Sequence, residues 1–411
     1  MLEYEFCFYA FKISCLGMSI MLKKWVFKTF LCVLCFTQLS PSLAVQFLPD
    51  PPKLNAKAWI LVDANTGHVI VEHNADLQLP PASLAKMMTT YITSEAIAEK
   101  RLKETDLVLV SNNAWRLGGA RTEGSTMFLS AKSKVSVLEL MHGVIIQSGN
   151  DAAIALAEHI SGNEAVFADN MNFQAELMGM SNTVYANATG LPAEGMVTSA
   201  RDLTLIARAI IQHHPQYYSI YSKKYYEHNN IKQPNRNRLL WRDSSVDGLK
   251  TGYTDEAGFC LVASSERRGM RLISVVLGAN SDDARTRQTQ KLFSYGFRHF
   301  DTLNIYTAGE NIKENVPVWY GQDDFINLVV ADDITLTLPK GQQKNLQTTV
   351  VVDSNIEAPV YAGRELGRLK ISLNEKEVIN VPLVAEKDIP EAGVFSRFFD
   401  WILLLFTQLL S

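Results

Sequence analysis

The chain has 411 residues, long enough for two hydrophobic cores, and its 47% hydrophobic and 20% charged residues are the proportions of an ordinary globular protein. A formal net charge of −4 argues against a nucleic-acid binder, which would concentrate basic residues on one face. The five cysteines are Cys7, Cys15, Cys32, Cys35 and Cys260, so only one lies beyond residue 44.

From Met21 the chain carries Lys23-Lys24, the apolar run Phe30 to Phe36, a mostly polar stretch Thr37 to Pro41, and Ser42-Leu43-Ala44. A charged segment, a short apolar core and small residues at −3 and −1 predict a secretory signal cut after Ala44. The run is too short to span a bilayer. Residues 1–20 lie upstream, and a start at Met21 would remove them. Cleavage leaves Cys260 alone, so no internal disulfide is expected. Its setting, Gly258-Phe259-Cys260-Leu261-Val262-Ala263, reads as that of a small buried hydrophobe rather than a catalytic thiol.

After the Pro49-Asp50-Pro51-Pro52 linker, Ala58 to Asp63 predicts a strand, Asn65-Thr66-Gly67 a hairpin turn, and Val69 to Glu72 the returning strand. Pro80-Pro81-Ala82-Ser83 opens a helix through Ile97. Helical periodicity also runs from Val135 to about Ile160, broken at Ser148-Gly149-Asn150, and from Thr198 to about Ile211. Strands return at Gly258–Ser264 and Arg271–Leu277, followed by a helix from about Asp282 to Phe297. Strands flanking a helix-rich middle predict an α+β domain with an antiparallel sheet over residues 45–299. Near residue 300 helical patterns stop. Alternating runs at 334–338, 349–352, 369–373 and 381–384 predict a small β-sandwich over 300–388.

Three short motifs carry chemistry. In Ser83-Leu84-Ala85-Lys86 the serine opens a helix, near unpaired backbone N–H groups, and the lysine three residues on shares its face. Such a lysine acts as a base only when burial or a second cation depresses its pKa. Taken singly, the pair also reads as an N-cap beside a surface lysine. Lys250-Thr251-Gly252 reads either as a turn after a strand, or as a strand edge whose backbone binds an oxyanion while Lys250 and Thr251 hold a carboxylate. Ser-x-Asn occurs at Ser111, Ser148, Ser161 and Ser372. Ser148 interrupts two apolar helical stretches and would present a loop inward. Ser161-Gly162 ends a helix, where glycine is the expected cap. Ser148 and Asn150 are therefore selected, and the other copies read as structural.

Ser-x-x-Lys, Ser-x-Asn and Lys-Thr-Gly in this order match the signature of penicillin-binding proteins and class A β-lactamases. The segments Pro81–Thr89, Ser148-Gly149-Asn150-Asp151-Ala152 and Val246–Gly252 closely resemble the low-molecular-mass penicillin-binding proteins that are D-alanyl-D-alanine carboxypeptidases. That resemblance covers residue 50 to the C-terminus and implies a serine-type hydrolase that takes the terminal D-alanine from peptidoglycan pentapeptides and binds penicillin covalently. It implies Ser83 as nucleophile and Lys86 as general base, with Ser148 and Asn150 relaying protons and orienting the peptide. The Ser83 and Tyr253 backbone N–H groups form the implied oxyanion hole. Lys250, Thr251, Gly252, Arg236 and Arg285 are the implied substrate contacts, although each arginine also reads as half of a structural ion pair. Tyr253 stands where close relatives often carry histidine, which bears on deacylation rate more than on reaction type.

No cofactor or metal is expected: there is no His-Glu-x-x-His, and the adjacent His213 and His214 cannot share a helix face. The tail from Val394 is rich in Phe, Leu, Ile and Trp, with a polar stripe of Ser396, Arg397, Asp400, Thr407, Gln408 and Ser411 interrupted by Leu404. Too short to span, residues 389–411 are expected to form an amphipathic helix lying in the outer face of the cytoplasmic membrane, or else one packed on the β-domain. The location expected is periplasmic. A β-lactamase and a non-catalytic wall-binding protein on the same fold are the alternatives. Glu164 and Glu176 lie where a deacylating glutamate would be sought, and neither is a clear equivalent.

Overall fold

The computed structural model describes residues 48–119 and 124–410, the side chains of 406–410 excepted. The expected signal, residues 1–44, lies outside the described residues. From Asp50 onward the chain forms one compact unit.

Strand β1 (Ala58–Asp63) returns as β2 (Val69–His73) through a turn in which Gly67 takes φ +73°, a left-handed value that glycine adopts without a Cβ penalty. A 3₁₀ turn, Ala82–Ala85, leads into α1 (Lys86–Ala98). Next come β3 (Leu107–Leu109), α2 (Asn112–Gly118), β4 (Lys134–Ser136) and α3 (Val137–His142). The helical periodicity therefore starts two residues late of Val135, which sits in β4 opposite Val108. Ser136 and Glu139 close a reciprocal capping box that sets the start of α3. A π-helical turn, Gly143–Gln147, separates it from α4 (Asn150–Ser161). Helices α5 (Glu164–Leu177) and α6 (Ala200–His213) follow, then the ribbon β5 (Tyr225–His228) and β6 (Ile231–Pro234).

Strands β7 (Val246–Thr254), β8 (Gly258–Arg267) and β9 (Met270–Ala279) join the first hairpin in a sheet of order β2-β1-β9-β8-β7, every neighbour antiparallel. Alternation along β1 divides the core as a pleated strand must. Ala58, Ile60 and Val62 face the helix-rich side, with Met87, Leu156 and Ile206 in the same cluster. Trp59 and Leu61 face α7 (Asp282–His299), through Leu292 and Phe293. Strand β7 is the sheet's edge, and that edge faces the 3₁₀ turn carrying Ser83.

Beyond α7 the chain is all-β until its last helix. It runs through β10 (Phe300–Tyr306), β11 (Asn311–Pro317), β12 (Phe325–Val330), β13 (Ile334–Pro339), β14 (Leu346–Val352), β15 (Glu365–Leu373) and β16 (Lys376–Ala385). Strands β10 and β13 form a ribbon, and the others a five-stranded antiparallel sheet of order β11-β12-β16-β15-β14. Ile326, Leu328, Leu369, Ile371, Leu383 and Ile334 share its core. The two regions meet at polar joints. Thr66 Oγ1 lies 2.7 Å from Thr337 Oγ1, and the Thr302 hydroxyl donates to the buried Asp63 carboxylate. The α+β architecture with a following β region thus agrees with the sequence reading.

Helix α8 (Val394–Leu410) ends the chain. Among the described residues no helix is long and apolar enough to cross a membrane. Its approach, residues 389–393, belongs to the β region: Ile389 is fully buried there and Gln322 N–H donates to the Pro390 carbonyl.

Candidate active site

The 3₁₀ turn before α1 leaves Ser83 partly exposed while Leu84, Ala85 and Lys86 are buried. Lys86 is completely enclosed. Its Nζ stands 3.1 Å from Ser83 Oγ, 2.7 Å from Asn150 Oδ1 and 2.6 Å from the Thr189 carbonyl. Burial lowers its pKa to about 7, against the opposing pull of the Asp151 and Glu164 carboxylates. Asn150 Oδ1 and the Thr189 carbonyl can only accept. A neutral amine has two N–H groups and one lone pair, so donating to these two acceptors leaves the lone pair for the Ser83 hydroxyl.

Ser148 comes into place through a break in helical geometry. The π turn delivers it in the left-handed region, φ +60°, and the N–H groups of Ser148 and Gly149 both turn back to the Gly143 carbonyl. Lys250 Nζ donates to Ser148 Oγ at 2.8 Å and to the Thr251 carbonyl at 3.0 Å. Lys250 is also buried, and desolvation first, then Lys86, Arg285 and Arg236, holds its pKa well below the ordinary lysine value. Two amines close together out of water cannot both remain protonated cheaply.

A cavity of about 280 Å³ opens over this group, lined by Ser83, Ser148, Asn150, Arg236, Thr251 and Tyr253 among others. Gly252 in β7 lies so close that a Cβ there would meet Ala82, Leu84 and the Pro81 carbonyl at 3.2 Å. The two arginines differ. Arg236 is exposed and has no partner among the described residues, held in a turn whose flanking Asn237 donates to the Gly248 carbonyl of β7. Arg285 is buried, and it spends its donors on the Gly252 and Cys260 carbonyls and on Asp282, at 2.8, 3.0 and 2.9 Å. It braces β7 against α7. Tyr253 is half exposed and its hydroxyl donates to Asp255, away from the cavity's buried groups.

The remaining Ser-x-Asn copies lie elsewhere. Ser111 caps α2 by accepting from Ala114 N–H, Ser161 ends α4 before Gly162 at φ +81°, and Ser372 is in β15. Cys260 is buried, with its thiol pKa raised by that burial. No group of three or more metal-ligating side chains occurs among the described residues.

Two supports escaped the sequence reading. Asp151, fully buried, accepts from Thr126 Oγ1, Met127 N–H and Leu129 N–H, fastening the 124–129 segment under the site. The 186–191 turn presents the Thr189 carbonyl: Asn187 Oδ1 accepts from the N–H groups of Thr189 and Gly190. Gly190, at φ +79°, approaches so near that a Cβ would fall 1.7 Å from the Ala82 carbonyl oxygen. Asn-x-x-Gly is a turn signal, and it was available in the sequence.

A partly exposed serine on a buried lysine beside the edge of an antiparallel sheet, with a second lysine on a facing serine, resembles the acyl-serine enzymes that recognise penicillin. Comparison with known proteins makes this specific. The D-alanyl-D-alanine carboxypeptidase family profile matches residues 45–281, and that of the penicillin-binding protein 5 C-terminal domain matches residues 300–391. The D-alanyl-D-alanine carboxypeptidase DacA of Escherichia coli (strain K12) is 41% identical over 362 residues, 87% of this chain and 90% of that protein. The crystal structure of penicillin binding protein 5 from Haemophilus influenzae superposes with a TM-score of 0.78 at 39% identity, covering 84% of this chain and all of that one. Penicillin-binding protein D2 from Listeria monocytogenes, in its ampicillin-bound form, gives 0.55 at 33% identity over 61% of this chain and 100% of its own. The chain belongs to the D-alanyl-D-alanine carboxypeptidase family.

Proposed function

We propose that the chain removes the terminal D-alanine of peptidoglycan stem peptides through an acyl-enzyme on Ser83, and that β-lactams acylate the same oxygen. The observation that carries this is the enclosed Lys86 amine, 3.1 Å from Ser83 Oγ with its N–H groups already occupied. As Ser83 Oγ attacks the scissile carbonyl, Lys86 takes its proton. The negative oxygen that forms is met by the backbone N–H groups of Ser83 and Tyr253. Collapse breaks the C–N bond, and the proton passes to the departing D-alanine amine by way of Lys86 and Ser148. A water, deprotonated in turn, attacks the ester and restores the Ser83 hydroxyl. Thr251 and Arg236 receive the terminal carboxylate, and Arg236 is the guanidinium with donors to spare. Arg285 serves by holding β7.

Residues 45–299 are proposed as the catalytic domain and 300–388, with the 389–393 segment packed on it, as a β-domain between it and the membrane. The 1–44 signal supports export to the periplasm. The exposed apolar side chains of α8 support anchoring of the tail from Val394 onward in the outer face of the inner membrane.

Fluorescent penicillin tests the whole reading. Wild type should form a stable adduct and release D-alanine from a D-Ala–D-Ala peptide, and Ser83→Ala should do neither while keeping its thermal transition. Rapid turnover of the penicillin would indicate a lactamase, and no adduct a wall-binding protein.

A further inference from the structure

Glu164 opens α5, outside the cavity, yet it holds the turn on which the Lys86 amine depends. Its Oε1 accepts from Ala188 N–H at 3.1 Å, while the Ala188 carbonyl on the other side accepts from Thr89 Oγ1 of α1 at 2.7 Å. Residue 188 is thereby clamped at both polar atoms, and the next carbonyl, that of Thr189, is the one 2.6 Å from Lys86 Nζ. If that carbonyl withdrew, one N–H of the neutral amine would be free to turn toward Ser83, and the lone pair would turn away.

We propose that Glu164 is a positioning residue for the general base, clamping the 186–191 turn through Ala188 and facing Lys86 with its charge. This rests on Lys86 being the base. The charges that face Lys86 are Asp151 and Glu164, which favour its protonated form, and Lys250, which is itself depressed by Lys86. Glu164 is more than half buried, and this raises its own pKa. The Ala188 N–H and Lys86 oppose the rise, and Glu158 adds to it.

The clamp and the charge are separable, because glutamine keeps an acceptor oxygen for Ala188 N–H and has no charge. The experiment follows the second-order rate of acylation by penicillin against pH for wild type, Glu164→Gln, Glu164→Ala and Lys86→Ala. Glu164→Gln should keep the alkaline plateau within about threefold and move the acid limb down by about half a unit to one unit, since losing a negative neighbour makes the ammonium easier to deprotonate. Glu164→Ala should lower the plateau about tenfold or more, as expected for a displaced base. A merely structural glutamate would lower thermal stability and leave the limb in place. An unmoved limb in the glutamine variant, or an undiminished plateau in the alanine variant, overturns the proposal. Retained acylation in Lys86→Ala would instead overturn the base assignment, and the role of Glu164 with it.

Discussion

Around Lys86 and Lys250 the fold takes two amines out of water, whereas along Val394 to Leu405 it leaves a row of aromatic and aliphatic side chains in it. Each departs from the usual partition of side chains, in opposite directions. In the first region the cost of an enclosed charge is lowered by giving the proton up, which is what the proposed base requires. In the second, the apolar area stays exposed among the described residues, as the proposed membrane anchor requires. Polar groups buried here point to chemistry, and apolar groups exposed here point to location.

The largest loss is expected from a cation at the Lys86 position that cannot give up its proton. Lys86→Arg should reduce penicillin acylation by about a thousandfold, since general-base catalysis supplies roughly 10²–10⁴ and arginine stays charged. In wild type the amine loses its proton as pH rises through about 7, so acylation should increase tenfold per unit well below that value and level off above it. Rapid-mixing acylation rates from pH 5 to 9 check both points. Acylation independent of pH across this range would remove Lys86 from the role.

A smaller effect separates geometry at the site from geometry elsewhere. Gly190 and Gly162 have nearly the same backbone, φ +79° and +81°, but a methyl group at Gly190 would strike the Ala82 carbonyl, and nothing lies within 4 Å of one at Gly162. Gly162→Ala should cost about 1 kcal/mol of stability from its positive φ and leave acylation unchanged. Gly190→Ala should cost about 1–3 kcal/mol and slow acylation by about tenfold or more, because it displaces the turn beside Ser83. Thermal melts with acylation rates of both variants decide it. Equal effects would mean that the 190 turn has no special hold on the site.

Legibility followed how local each cause is. Ser83, Lys86 and Asn150 were selected from motif order, and the structure brings them together with Ser148 and Lys250, which the same motifs supplied. Ser148 could be chosen over Ser161 because a serine inside two apolar helical stretches and a serine before a capping glycine leave different traces. Thr189 and Glu164 were less legible: Asn-x-x-Gly marks the turn but not that its Thr189 carbonyl meets Lys86, and Glu164 acts through a hydrogen bond to Ala188, 24 residues away. Arg285 was legible as an arginine near the site but not as one already occupied. That required knowing that α7 packs across β8 and β9 and so carries Arg285 to the Gly252 and Cys260 carbonyls. Helix α5 was not anticipated, because its buried residues Phe167, Ala168, Met171 and Ala175 are few and set among polar ones.

Changes in α8 should affect location and leave catalysis almost untouched. Seven large apolar side chains of α8, namely Val394, Phe395, Phe398, Phe399, Trp401, Leu403 and Leu405, are exposed. The helix's two charges within the described side chains are already engaged: Arg397 pairs with Glu391, and Asp400 accepts from Tyr320 N–H at 2.8 Å. Little charge is left for anionic lipid, whose attraction is about 1 kcal/mol per basic residue near the surface. Burying even three of the seven would contribute about 5–9 kcal/mol at roughly 1.5–3 kcal/mol each. Membrane association should therefore survive high salt and yield to detergent. The cut must fall after Gly393, because Ile389 is part of the β core and Gln322 and Tyr320 bond to residues 390 and 392. A chain ending at Gly393 should stay in the supernatant with its acylation rate within twofold of the full chain, since Ser83, Lys86, Ser148 and Lys250 belong to the other region. Sedimentation of both chains with liposomes, with and without 1 M salt (roughly a 3 Å screening length), measures it. A truncated chain that still sediments, or a full chain released by salt alone, would mean that the exposed face of α8 is not what holds the protein to lipid.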